Sequence, residues 1–88
     1  MSAHPGTILK ELIDTSGITY TDFAKRIGVS TTTISRLING KQNITADTAI
    51  RISKAFDEFS PEQWMAFQND HDISVCLSQF SYERILPL

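Results

Sequence analysis

The stretch from Thr19 to Lys41, taken with Ile18 before it, constrains this chain more than any other part of it. Apolar residues recur at Phe23, Ala24 and Ile27, and again at Val29, Ile34, Leu37 and Ile38. Each set has the three-and-four spacing that lines one buried helix face. Gly28 divides the sets where a helix end wants a left-handed residue. Ser30 follows as an N-cap, its oxygen available to the free amides of the next helix. That second helix carries Thr31, Thr32, Thr33, Ser35 and Arg36 on its other face, hydroxyls and an arginine where packing residues would otherwise be.

Two short helices around a glycine turn, the second anchored at its back and polar in front, form a helix–turn–helix pattern. A recognition helix needs this division, because base-reading side chains must face outward while the inner face is held. The net charge of −2 argues against a nucleic-acid partner only until it is divided. Residues 1–56 hold seven Lys or Arg against four Asp or Glu, a balance of +3; residues 57–88 hold one Arg against six acids, a balance of −5. Local field steers a polyanion, and the helix–turn–helix lies wholly in the basic half.

Eighty-eight residues allow one domain with a modest core. A hydrophobic fraction of 41% with five Phe and one Trp supports a packed globule over a disordered tail. No apolar run approaches the ~18 residues that span a bilayer, so no membrane partner is expected. The opening residues lack a basic segment followed by an apolar core, which argues against a signal peptide. Cys76 is alone, so an internal disulfide is excluded and a reducing compartment, the cytoplasm, is expected.

The pattern predicts five helices and no strand. His4 or Ala3 precedes Pro5, a favoured first-turn residue, and helix 1 runs to about Thr15, burying Ile8, Leu9, Leu12 and Ile13 before Ser16-Gly17. Thr19 caps helix 2, about Tyr20 to Ile27. Helix 3 covers about Thr31 to Ile38 and stops at Asn39-Gly40. Thr45 caps helix 4, about Ala46 to Phe56, with Ala49, Ile52, Ala55 and Phe56 inward. Ser60-Pro61-Glu62-Gln63 combines an N-cap, a first-turn proline and a capping-box glutamine, so helix 5 begins at Pro61 with Trp64, Phe67 and His71 on one face. After Asp72 the periodicity blurs; Ile73, Val75, Cys76, Leu77 and Phe80 either continue the helix or bend into another.

From Ile18 to Lys41 the chain resembles the phage-repressor-like (XRE, Cro/C1-type) regulators, through Ala24, Gly28, Ile34 and Asn39-Gly40-Lys41. Beyond that segment it resembles the HigA family of addiction-module antitoxins. The resemblance rests on His4-Pro5-Gly6 leading into Ile8-Leu9-Lys10-Glu11, on Ile44-Thr45, on Asp47-Thr48-Ala49-Ile50-Arg51-Ile52, and on Ser60-Pro61-Glu62 before Trp64, with Gln68 and Asp72-Ile73 after it. It covers residues 4 to about 73. Tyr20 stands where these regulators often carry Gln, and the residues after Asp72 follow no family pattern. Pattern and resemblance together predict an all-α, five-helix phage-repressor-like helix–turn–helix domain over residues 1–72, and the pattern alone adds a C-terminal helical extension, 73–88. The resemblance further implies a homodimer on a palindromic operator in double-stranded DNA that represses its own operon and neutralises a RelE-like ribonuclease toxin.

Thr31 and Thr32 are the first candidates for base contact, since threonine can donate or accept and its methyl can meet that of thymine. Thr33, Ser30 and Ser35 extend the same face; a solvated helix N-terminus is the alternative reading for the threonines. Arg36, four residues after Thr32, is the long donor suited to guanine, with a phosphate clamp as its alternative. Asn39 and Lys41 suit the phosphate backbone, and Tyr20 and Thr21 could donate to a phosphate beside the free amides of helix 2. Lys25 and Arg26 read equally well as surface charges. Trp64, Met65 and Phe67 complete either the core or an interface, and Ile73 to Phe80 is the expected dimer contact.

No catalytic, cofactor or metal site is expected. His71 lies between Asp70 and Asp72, but adjacent helix positions point about 100° apart and cannot converge on one ion. A solitary phage-type repressor without a toxin and a helical module that binds only protein are the competing readings.

Overall fold

Each helix of the chain opens on a side chain that accepts from its own first-turn amides. The computed structural model describes residues 4–88, so Ala3, an alternative start for the first helix, lies outside the described residues. Helix α1 spans Pro5–Ser16 behind His4, α2 Tyr20–Ile27 behind Thr19, α3 Thr31–Ile38 behind Ser30, α4 Ala46–Ala55 behind Thr45 and α5 Pro61–Gln79 behind Ser60. Such a cap is worth about 1 kcal/mol, because it satisfies an amide the helix cannot. At α5 the bond is reciprocal: Gln63 N–H donates to Ser60 Oγ at 3.1 Å, and Ser60 N–H donates to Gln63 Oε1 at 2.8 Å. No strand occurs among the described residues.

The ends of α2 and α3 are built alike. Gly28 and Gly40 take φ of 77° and 70°, and the following amides reach back to the last turn. Val29 N–H donates to Ala24 O at 3.0 Å and Lys41 N–H to Arg36 O at 2.8 Å. These left-handed caps stop both helices after two turns, and the one at Gly28 reverses the chain so that α3 packs on α2.

The inner faces meet in one core: Leu9 and Ile13 of α1, Phe23, Ala24 and Ile27 of α2, Ile34 and Leu37 of α3, Ile44, Ala49 and Ile52 of α4, and Trp64 of α5. Burying a side chain of this size stabilises by about 1.5–3 kcal/mol. Trp64 is fully buried and meets Phe59 and Phe67 edge to face, at 5.5 and 5.8 Å. It therefore completes the core. Helix α3 packs on α1 and α2, while α4 and α5 pack on each other and close the opposite side.

One expectation needs correction, and one alternative is decided. Ala55 is exposed, because α4 ends there and the chain turns outward; Phe56, extended at φ −121°, stacks on Phe23 at 5.2 Å instead of continuing the helix. Of the two courses open to the chain after Asp72, it takes the first: α5 continues unbroken to Gln79. The periodicity blurs there because the outer half of α5 leaves the core, so no packing face is imposed on it. Ile73, Leu77 and Phe80 are 59, 66 and 62% exposed. Residues 80–88 are non-helical and exposed, with one turn closed by Ile85 N–H on Tyr82 O at 3.1 Å.

Candidate nucleic-acid interface

The outward face of α3 is formed by Thr31, Thr32, Ser35 and Arg36, all exposed, with Asn39 and Lys41 exposed in the turn beyond. Ile34 and Leu37, wholly buried, anchor the opposite face. Thr32 and Arg36 share one line along the helix, as do Thr31 and Ser35, since residues four apart stand one above the other. The Arg36 guanidinium has no ion-pair or hydrogen-bond partner among the described residues, whose carboxylate pairs are Lys10–Asp14 and Arg51–Asp47. A five-donor group held out on a rigid helix is what bidentate recognition of guanine or phosphate needs.

Ser30 and Thr33 are placed differently. Ser30 Oγ accepts the Thr33 N–H at 3.1 Å and lies 2.9 Å from the Thr33 hydroxyl. The two hydroxyls satisfy each other and the helix end, and Thr33 is half-buried. Their role here is to start the helix that displays the others.

At the start of α2, Thr19 accepts from Asp22 N–H at 3.1 Å and Thr21 is exposed. Tyr20 is half-buried, and its hydroxyl donates to Asp14 Oδ1 at 3.1 Å instead of pointing freely to solvent. Lys10 reaches the other oxygen of that carboxylate at 2.8 Å. The hydrogen bond from Lys10 holds the Asp14 carboxyl below its ordinary range, and the same bond raises the Lys10 ammonium. Tyr20 thus joins α2 to α1.

Three positioning contacts were not legible in the sequence. Arg51 of α4 donates Nη1 to the Ile27 carbonyl at 2.8 Å and Nε to Asp47 at 2.9 Å, so a cation from a distant helix caps the C-terminus of α2 beside the turn. Gln68, almost wholly buried on α5, takes the Ile44 N–H on Oε1 at 2.9 Å; its amide donates to Asn43 at 3.2 Å and to Asp72 at 2.9 Å. That arrangement fixes the loop leaving α3. Gly6 of α1 lies so close to α3 that a Cβ there would overlap the Leu37 carbonyl oxygen. The Asp47/Arg51 spacing hinted at an ion pair, but the long-range partners depend on folding alone.

The helix–turn–helix family model HTH_3 matches residues 9–64. The crystallised addiction-module antidote protein of the HigA family from Coxiella burnetii is 32% identical, covers 100% of both chains and superposes with a TM-score of 0.88. The chain belongs to the HigA family of helix–turn–helix antitoxins. This family is a DNA-binding, non-enzymatic class of regulators. The Pseudomonas aeruginosa antitoxin HigA, solved with the higBA promoter, is 29% identical over 100% of this chain and 99% of its own, with a TM-score of 0.85. Virulence-associated protein A' of Dichelobacter nodosus is 42% identical over 71 residues, 81% of this chain; the chain spans 62% of that protein's length. Among the described residues no group of His, Cys, Asp or Glu could hold a metal ion, and no helix is long and apolar enough to cross a membrane.

Proposed function

We propose that this HigA-family chain is the antitoxin and autorepressor of a toxin–antitoxin module. It reads a palindromic operator as a homodimer and neutralises a RelE-like ribonuclease toxin. The observation that carries the DNA part is the outer face of α3, where Thr31, Thr32, Ser35 and an unengaged Arg36 stand in one exposed patch on a buried support. Arg36 and Thr32 read base edges, while Lys41, Asn39, Thr21 and the free amides of α2 and α3 hold phosphates. One such helix covers four or five base pairs at most, so selectivity needs two half-sites about one turn (~34 Å) apart.

Dimerisation supplies the second half-site, and the exposed Ile73 and Leu77 on outer α5, with Phe80 at its C-cap, form its contact. Residues four apart on a helix share a face, so Ile73 and Leu77 stand on one line of α5. The promoter-bound Pseudomonas relative supports the DNA reading, and the acidic balance of residues 57–88 favours a basic toxin over DNA as the partner of that half.

A mobility-shift titration with the chain's own promoter tests the reading. Thr32→Ala and Arg36→Ala should each weaken the complex, and unchanged binding in both overturns the assignment of α3. For the toxin, the neighbouring reading frame should encode a small protein that is toxic alone and silenced by co-expression of this chain. Absence of such a neighbour selects the solitary repressor.

A further inference from the structure

His4 does more than start a helix. Its Nδ1 accepts the Gly6 N–H at 2.9 Å, so the neutral ring carries its proton on Nε2. That nitrogen is buried without a well-formed hydrogen bond. The ring meets His71 of α5 at 4.9 Å between centroids, with the planes 78° apart. Two residues on, Gly6 abuts the Leu37 carbonyl at the end of α3. One imidazole therefore sits where α1, α3 and α5 converge.

Protonation would change three things together. Nδ1 would become a donor facing another donor, the Gly6 amide. A positive charge would appear at the N-terminal end of α1, where the helix dipole is already positive. That charge would also stand edge-on to a second imidazole. The charged or titratable groups that act on His4 are His71 and Asp72, both from α5; the α3–α4 loop brings the neutral Asn43 and, in the turn that ends α3, Gly40 beside the ring. Burial lowers the pKa most and His71 next, outweighing Asn43 and Asp72, so it lies below the ordinary 6.5. A depressed value has a definite sign. The stability it contributes is complete above pH 6.5 and is lost as pH falls through the folded-state value.

We propose that His4 is an acid-operated latch: neutral, it closes the first turn of α1 against α3 and α5, and protonated, it releases the end of α3 and weakens operator binding. The DNA consequence rests on the operator reading above; the latch itself does not.

Three measurements test it on the full chain. Nitrogen-15 NMR of the histidines should find His4 in the Nε2–H tautomer, titrating below 6.5. The melting temperature of the wild type should fall between pH 7.5 and 5 more steeply than that of His4→Asn, which keeps a capping acceptor and does not titrate. Operator affinity at fixed ionic strength should drop several-fold more for the wild type than for His4→Asn over the same range. An Nδ1–H tautomer, a midpoint above 6.5, or equal melting slopes in the two proteins overturns the latch. The tautomer and midpoint need only the wild type, so the result stands even if the variant fails to fold. Parallel loss of operator affinity in both proteins, with the NMR and melting results as expected, overturns the effect on DNA alone. Absence of operator binding at every pH overturns the operator reading and leaves the latch to be judged on the other two measurements.

Discussion

Gly6→Ala should destabilise the fold, although alanine is the better helix former. Inside an exposed helix the change would gain about 0.5–1 kcal/mol in backbone entropy. Here the added methyl overlaps the Leu37 carbonyl oxygen and stands 2.7 Å from its carbon, where ordinary contact begins at 3.4 Å. The backbones of α1 and α3 must therefore separate by at least ~0.7 Å, and more to clear the oxygen. The neighbour is main chain, so no rotamer can yield. Overpacking of this kind costs about 1–3 kcal/mol, which exceeds the propensity gain. A net loss of about 1–2 kcal/mol corresponds to a melting temperature lower by about 5–15 °C in a domain of this size. Calorimetry or urea denaturation, with the exposed neighbour Thr7→Ala as reference, measures it. A melting point equal to or above the wild type would refute the close approach of α1 to α3.

Arg36→Ala should weaken operator binding by about 1–3 kcal/mol, roughly 5- to 150-fold, while leaving the melting temperature within a degree or two, since the guanidinium has no partner in its own chain. Equal losses on specific and random DNA would assign it to phosphate. Gln68→Leu should cost about 2–3 kcal/mol in urea denaturation, because the buried Ile44 amide loses its acceptor; a neutral result would mean that water replaces the amide. Arg51→Met should cost about 1–2 kcal/mol by removing the cap on Ile27, a figure already reduced because its side chain is 41% exposed; no measurable loss would reduce the contact to a surface ion pair. Leu77→Asp should convert a dimer to a monomer in light scattering while preserving helicity; persistence of the dimer would move the contact elsewhere.

Local rules carried much of the reading. Thr19, Ser30, Thr45 and Ser60 marked four helix starts, and Gly28 and Gly40 two ends, because a cap or a left-handed residue acts within a few positions of itself. The outward face of α3 was legible for the same reason: once Ile34 and Leu37 are inward, Thr32 and Arg36 must be outward. What could not be read lay across the chain. Nothing near Gln68 announces that it will hold the Ile44 amide 24 residues away, and nothing near Tyr20 says that its hydroxyl goes to Asp14. The mutual bond of Ser30 and Thr33 was within local range, and a serine three residues before a threonine was the signal for it. Ala55 misled because helical spacing was carried through the last residue of α4, where Phe56 leaves the helix to stack on Phe23 and the inward face ends.

The unbroken course of α5 has a mechanical consequence. A helix rises about 1.5 Å and rotates about 100° per residue, so nineteen residues make a rod of about 28 Å. Its inner half is clamped at Trp64 and Gln68, and whatever grips Ile73, Leu77 and Phe80 is held in fixed rotational phase with the rest of the molecule. One residue inserted between Asp72 and Ile73 would leave the Gln68 and His71 contacts in place, yet swing that outer face through more than a quarter turn. In the dimer proposed above α5 would be both ruler and protractor, setting the separation and phase of the two α3 helices along the duplex.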